Sequence, residues 1–391
     1  MLKIYSAHTS ETDDVEAAVS EILEQLDLSR LLAFSAGIMF YYADFAETGV
    51  IQALCEKLPF PVVGGTTSNS AISGAKEGIS LTITVFTSNT IAFTAGISDS
   101  LQDEPFISLE KLYKQLLEGK PETMGEKPSM LFIVAPYFLE ITGDEYLAVL
   151  NGLSGGVPVF GSMAFTHTVE FKNIKTFFNG VEYDKALASL AFWGDIEPQF
   201  FISDIPDEQF MNRRMMVTDS CKNRIKRING IPVLEYLESI GLAKNGEMPG
   251  LVSFPLILYM PGGSRLIRSI YNIEDGELLC SGDIPSNIPM QISFCNKEFA
   301  LESARKTAAD CKKWLDSRDF SVSRSALIIS CAARRWILGS DVYAEIREID
   351  DELKDIHYHF AYSGGEFCPV YIRDGIADNC FFNYTLCICV I

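Results

Sequence analysis

Residues 357–385, HYHFAYSGGEFCPVYIRDGIADNCFFNYT, are the stretch on which a reading of this fold turns. The run opens as a strand by strict alternation. His357, His359 and Ala361 share one face, and Tyr358, Phe360 and Tyr362 the other. It breaks at Gly364-Gly365, where the chain can turn without a Cβ in the way. Glu366 follows at once, then Pro369, a polar loop with Asp374-Gly375, and a second strand carrying Asn383 and Thr385 among aromatics. This spacing predicts that Tyr362, Glu366 and Asn383 gather near one mouth.

The same order of signals occurs earlier in the chain. Asp13–Asp27 reads as an amphipathic helix with Val15, Val19, Ile22 and Leu26 on one face. An apolar strand follows at Leu31–Ile38, then a loop at Met39–Ala46, a short helix at Glu47–Lys57, and Pro61–Val63 entering Gly64-Gly65. Ile79–Phe86 and Ile91–Gly96 read as a hairpin. The pattern returns with a helix at Ser108–Glu118, a strand at Met130–Ala135, and a capping box of Thr142 and Glu145. Pro158–Phe160 then enters Gly161-Ser162, and Ala186–Trp193 is the later strand. A third occurrence is expected from Lys297–Leu315, Ala326–Cys331, a helix capped by Ser340, His357–Tyr362 entering Gly364-Gly365, and a last strand at Cys380–Ile391. The shared unit is helix, strand, helix, short strand into Gly, long strand, and such repetition implies related modules.

Between the second and third units lies a strand-rich stretch, Gln199–Phe294, with a turn at Asn229-Gly230, a helix from Pro232 and a hairpin turn at Glu274-Asp275-Gly276. The expected fold is α/β (mixed α+β), with the repeated modules forming two packed domains, 1–200 and 201–391. Their boundary falls in the polar segment Glu197–Asp207.

Composition excludes several functions. With 52 acidic against 32 basic residues, the net charge of −20 opposes binding to a nucleic-acid backbone. The basic cluster of Arg213, Arg214, Lys222, Arg224, Lys226 and Arg227 reads as a solvated strand face. Met1–Asp14 has no apolar core of signal-peptide length, and the longest uncharged run, Ile79–Ser98, is too rich in Thr, Ser, Asn and Gly to span a membrane. Ten scattered cysteines without a CxxC pair read as reduced thiols, which implies the cytoplasm. His8, His167, His357 and His359 form no zinc pattern.

The 357–385 stretch resembles the C-terminal signature of the FIST family, intracellular signal-transduction sensor domains found in bacteria and in some F-box proteins. The matching residues are Tyr362-Ser363-Gly364-Gly365-Glu366 and Phe382-Asn383-Tyr384-Thr385. Cys331-Ala332-Ala333-Arg334 is similar to the family's Cys-x-x-Arg, and Asn229-Gly230-Ile231-Pro232, Phe254-Pro255-Leu256 and Val63-Gly64-Gly65-Thr66-Thr67 add further matches. The resemblance implies an N-terminal and a C-terminal FIST domain that bind a small molecule, such as an amino acid, in signal transduction. It takes up nearly all of the chain, so the output is expected from a separate partner protein. No cofactor is expected, although some FIST proteins resemble haem-based sensors and a haem-ligating His is conceivable.

The candidate ligand site comprises Cys331, Arg334, Tyr362, Glu366 and Asn383. Arg334 would offer a guanidinium fork for a carboxylate, Glu366 an acceptor for an amine, and Asn383 both donor and acceptor. Other readings stand beside these. Arg334 and Arg335 could form ion pairs with Glu366 or with the acidic helix of 340–354; the resemblance favours Arg334 over Arg335 as the ligand residue. Glu366 could be a turn carboxylate. Thr66, Thr67 and Ser68 could be an anion nest or a plain turn. Cys331 could be core, or a nucleophile whose pKa Arg334 lowers, which leaves an enzyme using Cys331 or Glu366 as the alternative function.

Overall fold

The computed structural model describes residues 2–74, 80–137, 140–167, 172–211, 213–261, 263–318 and 325–391. Three stretches of chain build the same unit. The first runs β1 (Leu2–Thr9), α1 (Val15–Leu26), β2 (Phe34–Tyr42), α2 (Val50–Lys57), β3 (Val62–Thr67), β4 (Ser70–Ile72) and β5 (Leu81–Ser88). The second runs β6 (Ala92–Ile97), α3 (Pro105–Glu118), β7 (Met130–Ala135), α4 (Gly143–Ser154), β8 (Val159–Met163), the hairpin β9 (Thr176–Phe178) and β10 (Val181–Tyr183), and β11 (Ala188–Trp193).

The third unit opens with β12 (Gln199–Ile202) and is interrupted by an inserted sheet. The insert holds β13 (Met215–Cys221), β14 (Arg224–Ile228), β15 (Ile231–Pro232), α5 (Val233–Ser239), β16 (Leu256–Tyr259), β17 (Arg265–Arg268), β18 (Ile270–Glu274), β19 (Glu277–Cys280) and β20 (Ile288–Ile292). The unit then resumes with α6 (Lys297–Asp316), β21 (Ser325–Cys331), α7 (Ala332–Leu338), α8 (Ala344–Leu353), β22 (His357–Ser363), the hairpin β23 (Glu366–Arg373) and β24 (Ile376–Phe382), and β25 (Leu386–Val390).

Local chemistry sets the helices. Asp14 caps α1 by accepting from the Ala17 N–H, and Ala18, Val19, Ile22 and Leu26 form the buried face. Thr142 and Glu145 close a full capping box on α4. Ser340 is not the cap of the last long helix: α8 starts after Tyr343, with the Ala344 N–H bonded to the Asp341 carbonyl.

The sheets do not follow the units. Their orders are β1-β5-β2-β3-β9-β10, then β6-β11-β7-β8-β23-β24, then β12-β25-β21-β22-β4. In each sheet the middle strands take equivalent places: β2 runs parallel to β3, β7 to β8, and β21 to β22. The segment after each parallel pair leaves its own sheet. The second unit lends β9-β10 to the first sheet, the third lends β23-β24 to the second, and the first lends β4 to the third. The exchange is cyclic.

Several expectations change accordingly. The expected hairpin of Ile79–Phe86 with Ile91–Gly96 does not form. Ile79 lies outside the described residues, β5 pairs with β1 and β2, and β6 pairs with β11 in another sheet. Cys380–Ile391 is not one strand, because it breaks at Tyr384, whose φ is 67°. The expected boundary at Glu197–Asp207 runs through two sheets: β23-β24, after it, complete the second, and β4, before it, completes the third. Gly364-Gly365 is not the counterpart of the earlier glycines. Gly64 pairs with Met39 and Gly161 with Ile133 inside parallel ladders, whereas Gly364 lies past the end of β22.

The three exchanged sheets turn inner faces toward a shared core. There Phe40 of the first meets Phe132 of the second edge-on at 6.4 Å and His359 of the third at 5.5 Å. The outer faces bury separate cores under α1-α2, α3-α4 and α6-α8. Gly64 sits where this packing is tightest: a Cβ there would lie 1.7 Å from the Met39 carbonyl oxygen. We expect Gly64→Ala to destabilise the fold by about 3 kcal/mol or more in urea titration, because backbone has to move. Gly152 has open space around its missing Cβ within α4. There the same change should stabilise by up to about 1 kcal/mol.

Candidate functional site

The ends of the three parallel pairs meet, with the Phe165 N–H bonded to the Thr66 carbonyl, the Gly364 N–H to the Met163 carbonyl and the Tyr362 N–H to the Asn69 carbonyl, and the C-terminal ends of such strands are where open α/β sheets hold ligands. A cavity opens there. Its walls are Tyr137 and Phe165 from the second unit, Cys331, Ala332, Ala333, Trp336, Ser363 and Gly364 from the third, and Val252, Ser269, Ile270, Tyr271 and Ser281 from the insert. It encloses a void of about 30 Å³ and spans about 350 Å³ with its mouth. The enclosed part is about one water in size. No lining side chain is charged, and the buried Ser269 hydroxyl has no partner. A second recess, sharing Tyr137, Tyr271 and Ser281, continues the groove toward Thr142 and Asn223.

Beneath the cavity lies a polar layer. Ser363, one of the lining residues, donates to Glu366 Oε1 at 2.7 Å, and Thr385 Oγ1 donates to Oε2 at 2.8 Å. Burial raises the Glu366 pKa to about 8 despite these donors, so the side chain carries a proton at neutral pH. Beside it both polar atoms of the Asn383 amide are buried without partners among the described residues. Such a group of unsatisfied atoms calls for bound water or a polar guest.

Arg334 is held elsewhere. Its Nε donates to Glu345 Oε1 at 2.7 Å and its Nη2 to the Ala300 carbonyl and Ser303, while Ser330 donates to the other Glu345 oxygen. Both partners are fully buried. Burial opposes the Arg334 charge, and the Glu345 carboxylate outweighs it, holding the pKa above its ordinary value. Of the readings the sequence left open for Arg334, the structure contains the ion pair with the acidic helix.

Of the five sequence-derived residues, Cys331 alone lines the cavity; Glu366 lies beneath it with Asn383 beside Gly365, whereas Tyr362 is turned with Arg334 toward Glu345 in the core under α6 and α8. Burial, then the nearby Glu366, pushes the Cys331 thiol well above its ordinary pKa, which opposes a thiolate nucleophile. Thr66 is not free to join an anion nest, since its N–H bonds the Lys175 carbonyl, and the Asn69 N–H beyond it bonds the Thr67 hydroxyl. Sequence reasoning missed Tyr137, Phe165, Tyr271 and Trp336. Their only signal was an aromatic just past an apolar strand or within the insert.

His359 does not suit a haem. Its Nε2 is bonded to Thr82 at 2.8 Å, its ring packs on Phe40 in the closed core, and burial lowers its pKa to about 3. His357 sits exposed at the start of β22. Among the described residues no group of three or more His, Cys, Asp or Glu is placed to hold a metal ion, and no helix is long and apolar enough to cross a membrane.

The profile of the FIST N domain matches residues 35–231, and that of the FIST C domain residues 233–369. The chain belongs to the FIST family. FIST domains are sensory domains of signal transduction, which makes this chain a sensory protein at that level. The junction of the two FIST matches falls inside the insert, at β15 and α5. No curated protein matches the chain. Among solved structures, PurLQS from Thermotoga maritima is similar at 8% identity, covering 100% of this chain and 72% of that one, with a TM-score of 0.21 that carries no argument.

Two outcomes follow for this FIST protein. Arg334→Ala leaves the Glu345 carboxylate buried without its partner and should cost about 3–5 kcal/mol, read as a lowered urea midpoint. Arg334→Met with Glu345→Leu should recover most of that loss. Glu366 gives a pH signature. Its folded-state pKa of about 8 exceeds the ordinary 4.5, so between those values the folded state keeps a proton that the unfolded chain has released. Stability therefore falls as pH rises from about 4.5 to about 8 and levels off above. Glu366→Gln should flatten that slope, and a wild-type slope in the variant would contradict the assignment.

Proposed function

We propose that this FIST protein senses a small uncharged molecule with an aromatic or apolar body. The molecule would be held between Tyr137, Phe165, Tyr271 and Trp336, and occupancy would be passed to a separate output protein. One observation carries the reading. The cavity floor is Ser363-Gly364, where the chain leaves β22 in the third sheet to pair as β23 with β8 in the second. A guest that presses on this crossing bears on two sheets at once, and through the Ser363 hydroxyl on protonated Glu366. The unpartnered Ser269 hydroxyl supplies a polar anchor. The enclosed void is small, so entry requires an aromatic wall to swing aside.

An amino acid, the class the sequence suggested, is less well supported at this cavity. With no charged lining residue, both ends of a zwitterion would lose water without gaining a partner. A site at Arg334 would first have to break the Glu345 pair. The enzyme reading gains no support from the buried thiol of Cys331. All ten cysteines are free, which favours action in a reducing compartment such as the cytoplasm.

The test is a metabolite library scanned by thermal shift and mass spectrometry. A neutral compound should raise the melting temperature of the wild type and remain chemically unchanged. Ala333→Leu, which fills the cavity from α7, should weaken that compound at least tenfold. Turnover of the compound, or equal affinity for the filled variant, would overturn the proposal.

A further inference from the structure

We infer that Tyr42, His167 and Arg335 form a second site, separate from the cavity, that binds an oxyanion, either a carboxylate or a phosphate, carried on a flat organic body. Each of the three units contributes one of these side chains: Tyr42 ends β2, His167 follows β8, and Arg335 lies on α7, the helix after β21. Tyr42 and His167 stack in parallel, with ring centroids 4.5 Å apart and planes 9° apart. Trp336, next to Arg335 on α7, packs edge-on against Phe165 at 5.8 Å, two residues before His167, and the positive charge of Arg335 acts on Tyr42 of the first unit.

Arg335 forms no ion pair with a described carboxylate, and its Nε is buried without a partner. Thr67 pairs with Tyr42 in the ladder, and the two residues that follow it, Ser68 and Asn69, are 1% and 5% exposed. The Ser68 hydroxyl and the Asn69 amide nitrogen have no partners either. Unpartnered donors on the segments that meet here leave an acceptor to be supplied, and an oxyanion offers acceptors only. The charge context agrees, because a half-buried arginine left unpaired is unusual in a chain of net charge −20. Asp44 is the acidic group that acts on Tyr42 from the same unit, and it forms no ion pair with Arg335. The outer faces of the stacked rings provide a platform for a planar body.

Calorimetric titration of the full chain with benzoate, phenyl phosphate and benzamide tests this site. At least one of the two anions should bind while the neutral benzamide does not, and which anion binds identifies the headgroup. Arg335→Gln should weaken that anion at least tenfold, with Arg335→Lys intermediate because it keeps the charge without the fork. Asp44→Asn should tighten it. Ala333→Leu, which closes the other cavity, should leave it unchanged, so failure of the cavity reading and failure of this one are distinguishable. Arg335 has no ion-pair or hydrogen-bond partner among the described residues, so its loss should leave the melting temperature within about 2 °C of wild type. Absence of binding by both anions at millimolar concentration, anion affinity equal in wild type and Arg335→Gln, or collapse of that variant's melting temperature would each overturn the inference.

Discussion

The constraint on which everything else depends is the backbone hydrogen bonding of three sheet edges. A strand running parallel to one neighbour and bare on its other side exposes a row of N–H and C=O groups, a liability that folded proteins have to cover. Here β3, β8 and β22 are each such a strand, and each is covered by a segment that belongs to another unit. The crossings are tied further by single bonds. The Phe165 N–H reaches the Thr66 carbonyl, the Gly364 N–H reaches the Met163 carbonyl, and the Tyr362 N–H reaches the Asn69 carbonyl. No unit completes its own sheet, so the three sheets are expected to form cooperatively. The crossings are also the points where a local disturbance reaches two sheets together.

The two adjacent arginines show how finely the same constraint partitions chemistry. Successive residues of a helix point about 100° apart. On α7 that angle sends Arg334 toward α6, where Glu345 and the Ala300 carbonyl absorb its charge, and Arg335 toward the first unit. Ala332, Ala333 and Trp336 face the cavity. A buried ion pair of this kind is costly to break and often no more stabilising than an apolar pair. Its role here is to fix the azimuth of α7, and thereby the placement of Arg335 and Trp336.

The helices were legible in the sequence because each carries one apolar face at helical spacing, whichever strands it covers, so periodicity alone reports them; Ile346, Ile349 and Leu353 of α8 are an example. The repeat was legible for the same reason. The exchange was not. A lent hairpin such as β23-β24 carries the same apolar alternation whichever sheet it completes, and partner choice is a tertiary matter. The short link at Ser88–Thr90 resembles a hairpin turn, yet its side chain–backbone bonds send β5 and β6 apart. In the site, the glycine pair and Glu366 stood out because their types are unusual after a strand. The choice of Arg334 over Arg335 depended on the position of Glu345, which the sequence places eleven residues away without saying that the two side chains meet.

The insert explains why the cavity lies where it does. The fold offers three comparable junctions between units, each at the ends of parallel strands. The chain between β12 and α6 leaves the third unit and returns to it, and the start of β18 with the residue before it, together with Ser281 just past β19, supplies Ser269, Ile270, Tyr271 and Ser281 as one wall. Arg268 clamps this wall to the second unit, its Nη2 donating to Asp144 at 2.7 Å and its Nη1 to the Phe381 carbonyl at 2.8 Å. Phe381 belongs to the hairpin lent by the third unit, so one buried guanidinium joins the insert, α4 and the exchanged strands. Symmetry alone would give three equivalent open junctions. The insert roofs one of them, and the clamp ties that roof to the crossing beneath it. An event in the cavity is therefore mechanically connected to all three pieces, which is the arrangement a sensory domain requires if binding at one place is to be read at another.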